Sequence, residues 1–147
     1  MERRPRPHLD ISATCACGAV SVTIDGPIRS MFMCACEACQ KATGTGHSTV
    51  AIVNTSDFRV AGPTKSFSRP AASGATFTQN FCPECGTPLY GRSSRAPDSI
   101  MLPVGLLGAR TDWYKPNQLI FARSHREWDC IADDLPRHAT YRNPDAV

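Results

Sequence analysis

The residues of this sequence best suited to chemistry are its cysteines. Eight cysteines occur among 147 residues, and seven of them lie in three short motifs. The motifs are Cys15-Ala-Cys17, Cys34-Ala-Cys36-Glu-Ala-Cys39 and Cys82-Pro-Glu-Cys85. We call Cys15, Cys17, Cys82 and Cys85 the outer pairs, and Cys34, Cys36 and Cys39 the triplet. Cysteines separated by one or two residues can direct both sulfurs at one ion from a single turn, so these motifs predict metal binding.

The spacing of the motifs predicts two different metal sites. The outer pairs together supply four sulfurs, which close a tetrahedral zinc site. Gly18 and Gly86 follow the two pairs directly and permit the tight turns that such pairs need. The triplet supplies only three sulfurs, so one position stays open for water or substrate, as in a catalytic zinc site. We therefore predict a closed site and an open, reactive site.

Several alternatives remain open at the level of sequence. His47 lies eight residues after Cys39 and could complete the second tetrahedron, which would make that site structural. The triplet could instead act as redox-active thiols, and spacing alone allows other partitions of the cysteines. Cys130 stands apart from the motifs and is predicted to be a free thiol in the core.

The elements that must position these motifs are mostly strands. Residues 19–24, 48–54 and 75–81 combine β-branched and aromatic residues with flanking turn signals, which predicts strands. Residues 99–107 form a longer apolar run, predicted as a further strand in which Pro103 indicates a sheet edge or a bulge. Short helices are predicted over residues 37–44 and 126–135. The two tryptophans, Trp113 and Trp128, are predicted to close the core together with Leu135.

Length and composition predict one domain. Residues 1–12 are predicted to be a flexible N-terminal arm, residues 13–137 the zinc-binding domain, and residues 138–147 a C-terminal tail. No apolar run is long enough to span a membrane, and the basic N-terminus lacks the apolar stretch of a secretory signal, so we expect a cytoplasmic protein. Seven bound thiolates and two divalent ions would bring the formal charge of +3 to about zero. The basic composition is therefore no argument for nucleic-acid binding.

The motifs resemble those of the glutathione-dependent formaldehyde-activating enzyme family, which also includes centromere protein V. The resemblance rests on "CACGAV", "CACEACQKATG", "FCPECGTPLY" and "FARSHREWDCIADDLP", and it extends over residues 14–136. It implies a zinc-stabilised, tent-like arrangement of antiparallel β-sheets. It also implies that the outer pairs hold a structural zinc ion and the triplet a catalytic one.

The resemblance further implies a carbon–sulfur lyase that joins formaldehyde to glutathione and reverses that reaction. Its partners would be a small-molecule thiol and an aldehyde, with two zinc ions per chain as cofactors and glutathione as cosubstrate. Two functions of other classes compete with this hypothesis: a non-catalytic zinc module that binds a partner protein, and a thiol-based redox sensor. About two tightly bound zinc ions would argue against the sensor.

Overall fold

The structure is a computed structural model in which residues 6–142 are described. Ten strands lie in this part of the chain: β1 (His8–Thr14), β2 (Ser21–Pro27), β3 (Ser30–Cys34), β4 (Ser48–Asn54), β5 (Phe58–Ala61), β6 (Lys65–Pro70), β7 (Thr76–Phe81), β8 (Pro88–Ser93), β9 (Ser99–Pro103) and β10 (Leu119–Ile120). The same residues contain one α-helix, α1 (Glu37–Thr43), and three short 3-10 helices (Thr55–Asp57, Val104–Leu107 and Ala122–Ser124). The predicted mostly-β fold with antiparallel sheets and few short helices is confirmed.

The described residues form two compact units. The first unit contains the residues up to Ser30 together with Ala51–Trp113. The second contains Met31–Val50 together with the residues from Tyr114 onwards. The outer pairs lie in the first unit and the triplet lies in the second, so each cysteine cluster belongs to one unit.

The first unit contains an antiparallel sheet in the order β1-β2-β5. Leu9 and Ile11 of β1 are buried and alternate with exposed residues, as expected for a strand with one face on the core. Each residue from His8 to Thr14 is paired with a residue of β2. Strand β1 therefore includes residues 8–12, which the sequence analysis placed in the N-terminal arm; residues 1–5 lie outside the described part.

The remaining strands of the first unit follow the order β4-β9-β8-β7-β6. Strands β6, β7, β8 and β9 pair antiparallel, and Leu89, Ile100 and Leu102 are fully buried in the core. Strand β9 ends at Pro103, and the apolar run continues as a 3-10 helix rather than as the single strand predicted over residues 99–107. Proline lacks the amide hydrogen that a sheet ladder needs, which accounts for the end of the strand at this residue.

The second unit positions the triplet on β3 and α1. The two residues of β10 run parallel to β3, with Leu119 beside Met33 and Ile120 beside Cys34. Helix α1 is the helix predicted over residues 37–44. It ends at Gly44, whose left-handed conformation (φ 69°) lets its amide donate to the Gln40 carbonyl at 2.8 Å.

Residues 126–135 do not form the predicted helix. The segment consists of isolated turns, closed by hydrogen bonds from the Asp129 amide to the Arg126 carbonyl and from the Leu135 amide to the Ala132 carbonyl. A segment of ten residues is too short to be helical by propensity alone, so its side-chain contacts decide its path. The residues after it are ordered as well, because His138 exchanges backbone hydrogen bonds with Leu119 and Ala122. The start of the predicted tail therefore packs with the second unit.

The core predictions for Trp128 and Cys130 are wrong. Trp128 is 67% exposed and Cys130 is also exposed, because both lie on the segment that does not fold into a helix. Trp113 and Leu135 are half-buried. None of the helices in the described residues is long and apolar enough to cross a membrane.

We expect Trp128→Ala to change the free energy of unfolding by less than about 0.5 kcal/mol, because little of the side chain is removed from water. Leu89→Ala is the matched comparison: Leu89 is fully buried, and this truncation should cost about 2–5 kcal/mol. Thermal unfolding of both variants in the metal-loaded protein measures the difference. A large loss of stability in Trp128→Ala would contradict the exposed position of this residue.

Candidate metal centres

The outer pairs lie in two hairpin loops of the same construction. Cys15 follows β1 directly, and Cys82 follows β7. In each loop the first cysteine donates its amide to a residue further along, Val20 at 2.9 Å and Thr87 at 3.0 Å. Gly18 (φ 79°) and Gly86 (φ 76°) adopt left-handed conformations and donate their amides back to the carbonyls of Cys15 and Cys82. The glycines thus close both turns, as their places in the sequence predict.

The four sulfurs of the outer pairs fit a tetrahedral metal ion. The Sγ atoms of Cys15 and Cys17 are 3.6 Å apart, and those of Cys17 and Cys82 are 3.7 Å apart. All four Sγ atoms lie within 4.8 Å of one another. Zinc–sulfur bonds of about 2.3 Å at tetrahedral angles place the sulfurs about 3.8 Å apart. The cysteines are all free, and disulfide sulfurs would lie about 2 Å apart, so the cluster could hold a metal ion.

Hydrogen bonds support thiolates in this cluster. The Val20 amide donates to the sulfur of Cys15 at 3.3 Å. The hydroxyl of Thr87, its amide and the amide of Cys17 lower the pKa of Cys85 to about 5. The pKa of Cys17 is raised to about 12: the Ala19 amide lowers it, but the Cys15 sulfur and desolvation outweigh that effect. Sulfurs this close cannot all carry a negative charge unless a cation lies among them.

The triplet lies at the junction of β3 and α1. Cys34 is the last residue of β3 and is buried, Cys36 is the N-cap of α1, and Cys39 lies in the first turn of the helix. The Cys39 amide donates to the Cys36 sulfur at 3.3 Å. The three Sγ atoms lie within 4.8 Å of one another, so this cluster could also hold a metal ion.

The triplet lies against apolar side chains. Phe32, Ile120 and Phe121 pack with the three cysteines in one hydrophobic cluster. Hydrogen bonds with the sulfurs of Cys36 and Cys39, followed by burial, raise the pKa of Cys34. A cation among the sulfurs would therefore be needed to hold Cys34 as a thiolate.

His47 does not complete the triplet. Within residues 6–142, the group of ligand atoms that surrounds this position consists of the three cysteine sulfurs. The Nδ1 atom of His47 lies instead 2.6 Å from Oδ2 of Asp129, and the same oxygen lies 3.0 Å from Nε2 of His125. The group at this position therefore contains three cysteine sulfurs and no nitrogen of His47.

The comparisons with known proteins identify the family. The family model described as glutathione-dependent formaldehyde-activating enzyme matches residues 10–124, which is most of the chain. The protein belongs to this family. A crystal structure of a Rhodobacter sphaeroides protein has the same fold, with a TM-score of 0.55 and 19% sequence identity over 69% of this chain and 92% of that chain. The comparison with curated proteins finds no match.

Asp129 and His125 also line a cleft in the second unit of the protein. The cleft is open and polar, with a volume of about 450 Å³. Its charged and titratable lining residues are His125, Arg126, Glu127, Asp129, Cys130, Asp133 and Arg137. No sequence pattern marks these residues as a group, because their clustering depends on a turn structure that the sequence does not predict.

Helix α1, which is capped by Cys36 and contains Cys39, is hydrogen-bonded to the chain beside the cleft. The Gln40 side chain donates to the carbonyls of Ala35 and Ser124, both at 2.9 Å. Its oxygen accepts from Nε of Arg126 at 3.2 Å, and the same guanidinium lies 3.7 Å from the Glu37 carboxylate. These contacts fix α1, and with it Cys36 and Cys39, against residues 124–126.

Proposed function

We propose that the protein is a zinc-dependent carbon–sulfur lyase, similar to S-(hydroxymethyl)glutathione synthase, that forms and cleaves the adduct of glutathione or another thiol with an aldehyde. The observation that carries the proposal is the triplet: three convergent sulfurs in an apolar setting, with no fourth protein ligand among the described residues. An open position of this kind is what distinguishes a catalytic zinc site from a structural one. The family membership supports the same reaction class.

Zinc is the metal that this donor set favours. Thiolates are soft ligands that suit zinc, and a closed four-sulfur site is typical of structural zinc. We propose that Cys15, Cys17, Cys82 and Cys85 hold a structural zinc ion, and that Cys34, Cys36 and Cys39 hold a catalytic one. Eight free cysteines agree with a reducing compartment, and we propose the cytoplasm.

The cysteines of the triplet and the residues that pack around them would carry the proposed chemistry. A zinc ion bound by the triplet would activate a substrate thiol by lowering its pKa, so that the sulfur is a nucleophile at neutral pH. Phe32, Ile120 and Phe121 exclude water from one side of the triplet, which strengthens electrostatic interactions there. The Gln40 contacts hold α1, so that Cys36 and Cys39 keep their positions during turnover.

The experiment that tests this proposal measures a rate, because an enzyme does not change the amount of adduct at equilibrium. The purified protein is analysed for zinc and added to equilibrated mixtures of glutathione with several aldehydes, including formaldehyde. Exchange between free aldehyde and adduct is then measured by NMR. We expect about two zinc ions per chain and an exchange rate that rises in proportion to protein concentration.

Other outcomes separate the competing functions. Full zinc content without faster exchange for any thiol or aldehyde would contradict the lyase and favour the non-catalytic zinc module. A chain isolated without zinc and with disulfides in the triplet would contradict both, and would favour the redox sensor. Mercaptoethanol and cysteine in place of glutathione show whether the peptide part of the thiol is recognised.

A further inference from the structure

Asp129 lies between two imidazole rings in the second unit. Its Oδ2 atom is 2.6 Å from Nδ1 of His47 and 3.0 Å from Nε2 of His125. The three side chains are mostly buried, with 9% of the Asp129 side chain exposed, 12% of His125 and 17% of His47. A carboxylate oxygen only accepts hydrogen bonds, so each of these two ring nitrogens carries a hydrogen and donates it.

The two histidines differ in their second ring nitrogen. Nδ1 of His125 lies 3.5 Å from Nη1 of Arg137, and a guanidinium only donates, so this nitrogen is an engaged acceptor. For Nε2 of His47, the structure of residues 6–142 gives no hydrogen-bond partner. With Nδ1 protonated and bonded to Asp129, His47 therefore has a free lone pair on Nε2. Of the two rings, His47 is the one whose second nitrogen faces no hydrogen-bond donor among the described residues.

The backbone places His47 next to the triplet. The following residue, Ser48, donates its hydroxyl to the Cys34 carbonyl at 3.4 Å. The Thr43 hydroxyl donates to the Cys39 carbonyl at 2.8 Å and lies 3.5 Å from the His47 carbonyl. The His47 backbone is thereby linked to two of the three cysteines.

Gly46 brings the same loop against Asp129. A β-carbon at this position would overlap the Asp129 carboxyl group. The absence of a side chain at residue 46 thus allows the carboxylate to reach the ring of the next residue, His47. The contact joins residues that are 82 positions apart in the sequence.

We propose that His47 is a catalytic residue that carries the proton in the thiol–aldehyde reaction, and that Asp129 is its positioning residue. This inference rests on the proposed function. In the forward direction, Nε2 of His47 takes the proton of the substrate S–H group. The sulfur lone pair forms the C–S bond with the aldehyde carbon, and the C=O π electrons move to the oxygen. His47 then returns its proton to that oxygen, which gives the hydroxyl of the adduct.

The reverse reaction uses the same atoms. Nε2 of His47 removes the hydroxyl proton, the C=O bond forms again, and the C–S electron pair leaves with the sulfur, which then recovers the proton. No oxidant or reductant is consumed in either direction. Asp129 holds the Nδ1–H tautomer of His47, in which Nε2 carries the lone pair, and its negative charge stabilises the imidazolium that forms when the proton arrives.

The kinetic test compares His47→Gln with His8→Gln in the zinc-loaded protein. His8 is an exposed histidine on β1 that also bonds an aspartate, Asp25 at 2.9 Å, so it is a matched control outside the second unit. We expect kcat to fall about 10²- to 10⁴-fold in His47→Gln, the usual range for loss of a general acid–base group. The KM for the thiol and the zinc content should stay near the wild-type values. His8→Gln should behave as wild type, and added imidazole should restore part of the activity of His47→Ala.

A second measurement is made on the wild-type protein and does not depend on its activity. Long-range ¹⁵N–¹H NMR spectra of the wild-type histidines report which ring nitrogen is protonated. We expect the Nδ1–H tautomer for His47 and the Nε2–H tautomer for His125. In Asp129→Asn, the preference of His47 should weaken, and kcat should fall while the zinc content is unchanged.

Four results would overturn the proposal, and they separate its failure from that of the proposed function. An Nε2–H tautomer for His47 in the wild type, or a kcat within threefold of wild type in a folded His47→Gln, removes the proton-carrying role alone. Loss of one zinc ion in His47→Gln would identify His47 as a metal ligand instead. A wild type that carries two zinc ions but does not accelerate exchange overturns the proposed function, and with it this role.

Discussion

Replacement of Cys82 by serine is expected to leave the chain unfolded or insoluble. The side chain is fully buried at the end of β7, with its sulfur 3.7 Å from that of Cys17. Serine removes one of four thiolates and leaves a hydroxyl at a buried position. Binding of a structural zinc ion contributes on the order of 10 kcal/mol to folding, which is comparable to the whole stability of a typical domain. Loss of several kcal/mol of that energy should prevent stable folding.

Cys130→Ser is the matched control for this variant. Cys130 is exposed and belongs to neither cluster of sulfurs in the described residues, so the same chemical change should alter stability by less than about 0.5 kcal/mol. Solubility, circular dichroism and zinc content compare the two variants. A Cys82→Ser protein that stays folded and retains two zinc ions would show that the outer pairs do not form a structural site.

Replacement of Cys36 by alanine is expected to give a folded protein with about one zinc ion and no thiol-dependent activity. Two sulfurs remain in the triplet, which is too few for tight zinc binding. The fold should survive because the outer pairs lie in the other unit and keep their four ligands. Activity should fall to the uncatalysed exchange rate, since the proposed chemistry takes place at this site.

Cys36→Ser separates metal binding from helix capping. The Cys36 sulfur accepts the Cys39 amide as the N-cap of α1, and alanine removes this acceptor at a cost of about 1 kcal/mol. A serine hydroxyl can cap the helix but is a poor ligand for zinc. We therefore expect Cys36→Ser to be more stable than Cys36→Ala and equally inactive. Activity in either variant with two zinc ions still bound would contradict the catalytic assignment.

The sequence predicted those parts of the fold that depend on local patterns. Alternating apolar residues and turn signals located β4 and β7, and Gly44 marked the end of α1. The grouping of the seven cysteines also followed from their spacing, because cysteines separated by one or two residues can direct both sulfurs at one ion from a single turn. The structure groups the same residues. Strand β1 was not predicted, because the arginine-rich start of the chain concealed the alternation of Leu9 and Ile11.

The parts that could not be predicted depend on tertiary contacts. Residues 126–135 have a composition that favours a helix, but Asp129 is held by two histidines and the segment follows turns instead. The exposure of Trp128 is a consequence of that path. No local pattern links His47 with Asp129, since the fold alone brings residues so distant in sequence together.

Stepwise removal of zinc, with the exchange rate measured on the same samples, tests the central claim most directly. Fewer metal–protein bonds must break to release an ion with three protein ligands than one with four. A mild chelator should therefore remove the ion of the triplet first. We expect that release of about one zinc ion per chain abolishes thiol-dependent exchange while circular dichroism remains unchanged. The second ion should leave only as the fold is lost. Full activity after release of the first ion, or simultaneous loss of both ions on unfolding, would contradict the assignment of a catalytic zinc ion to the triplet and a structural one to the outer pairs.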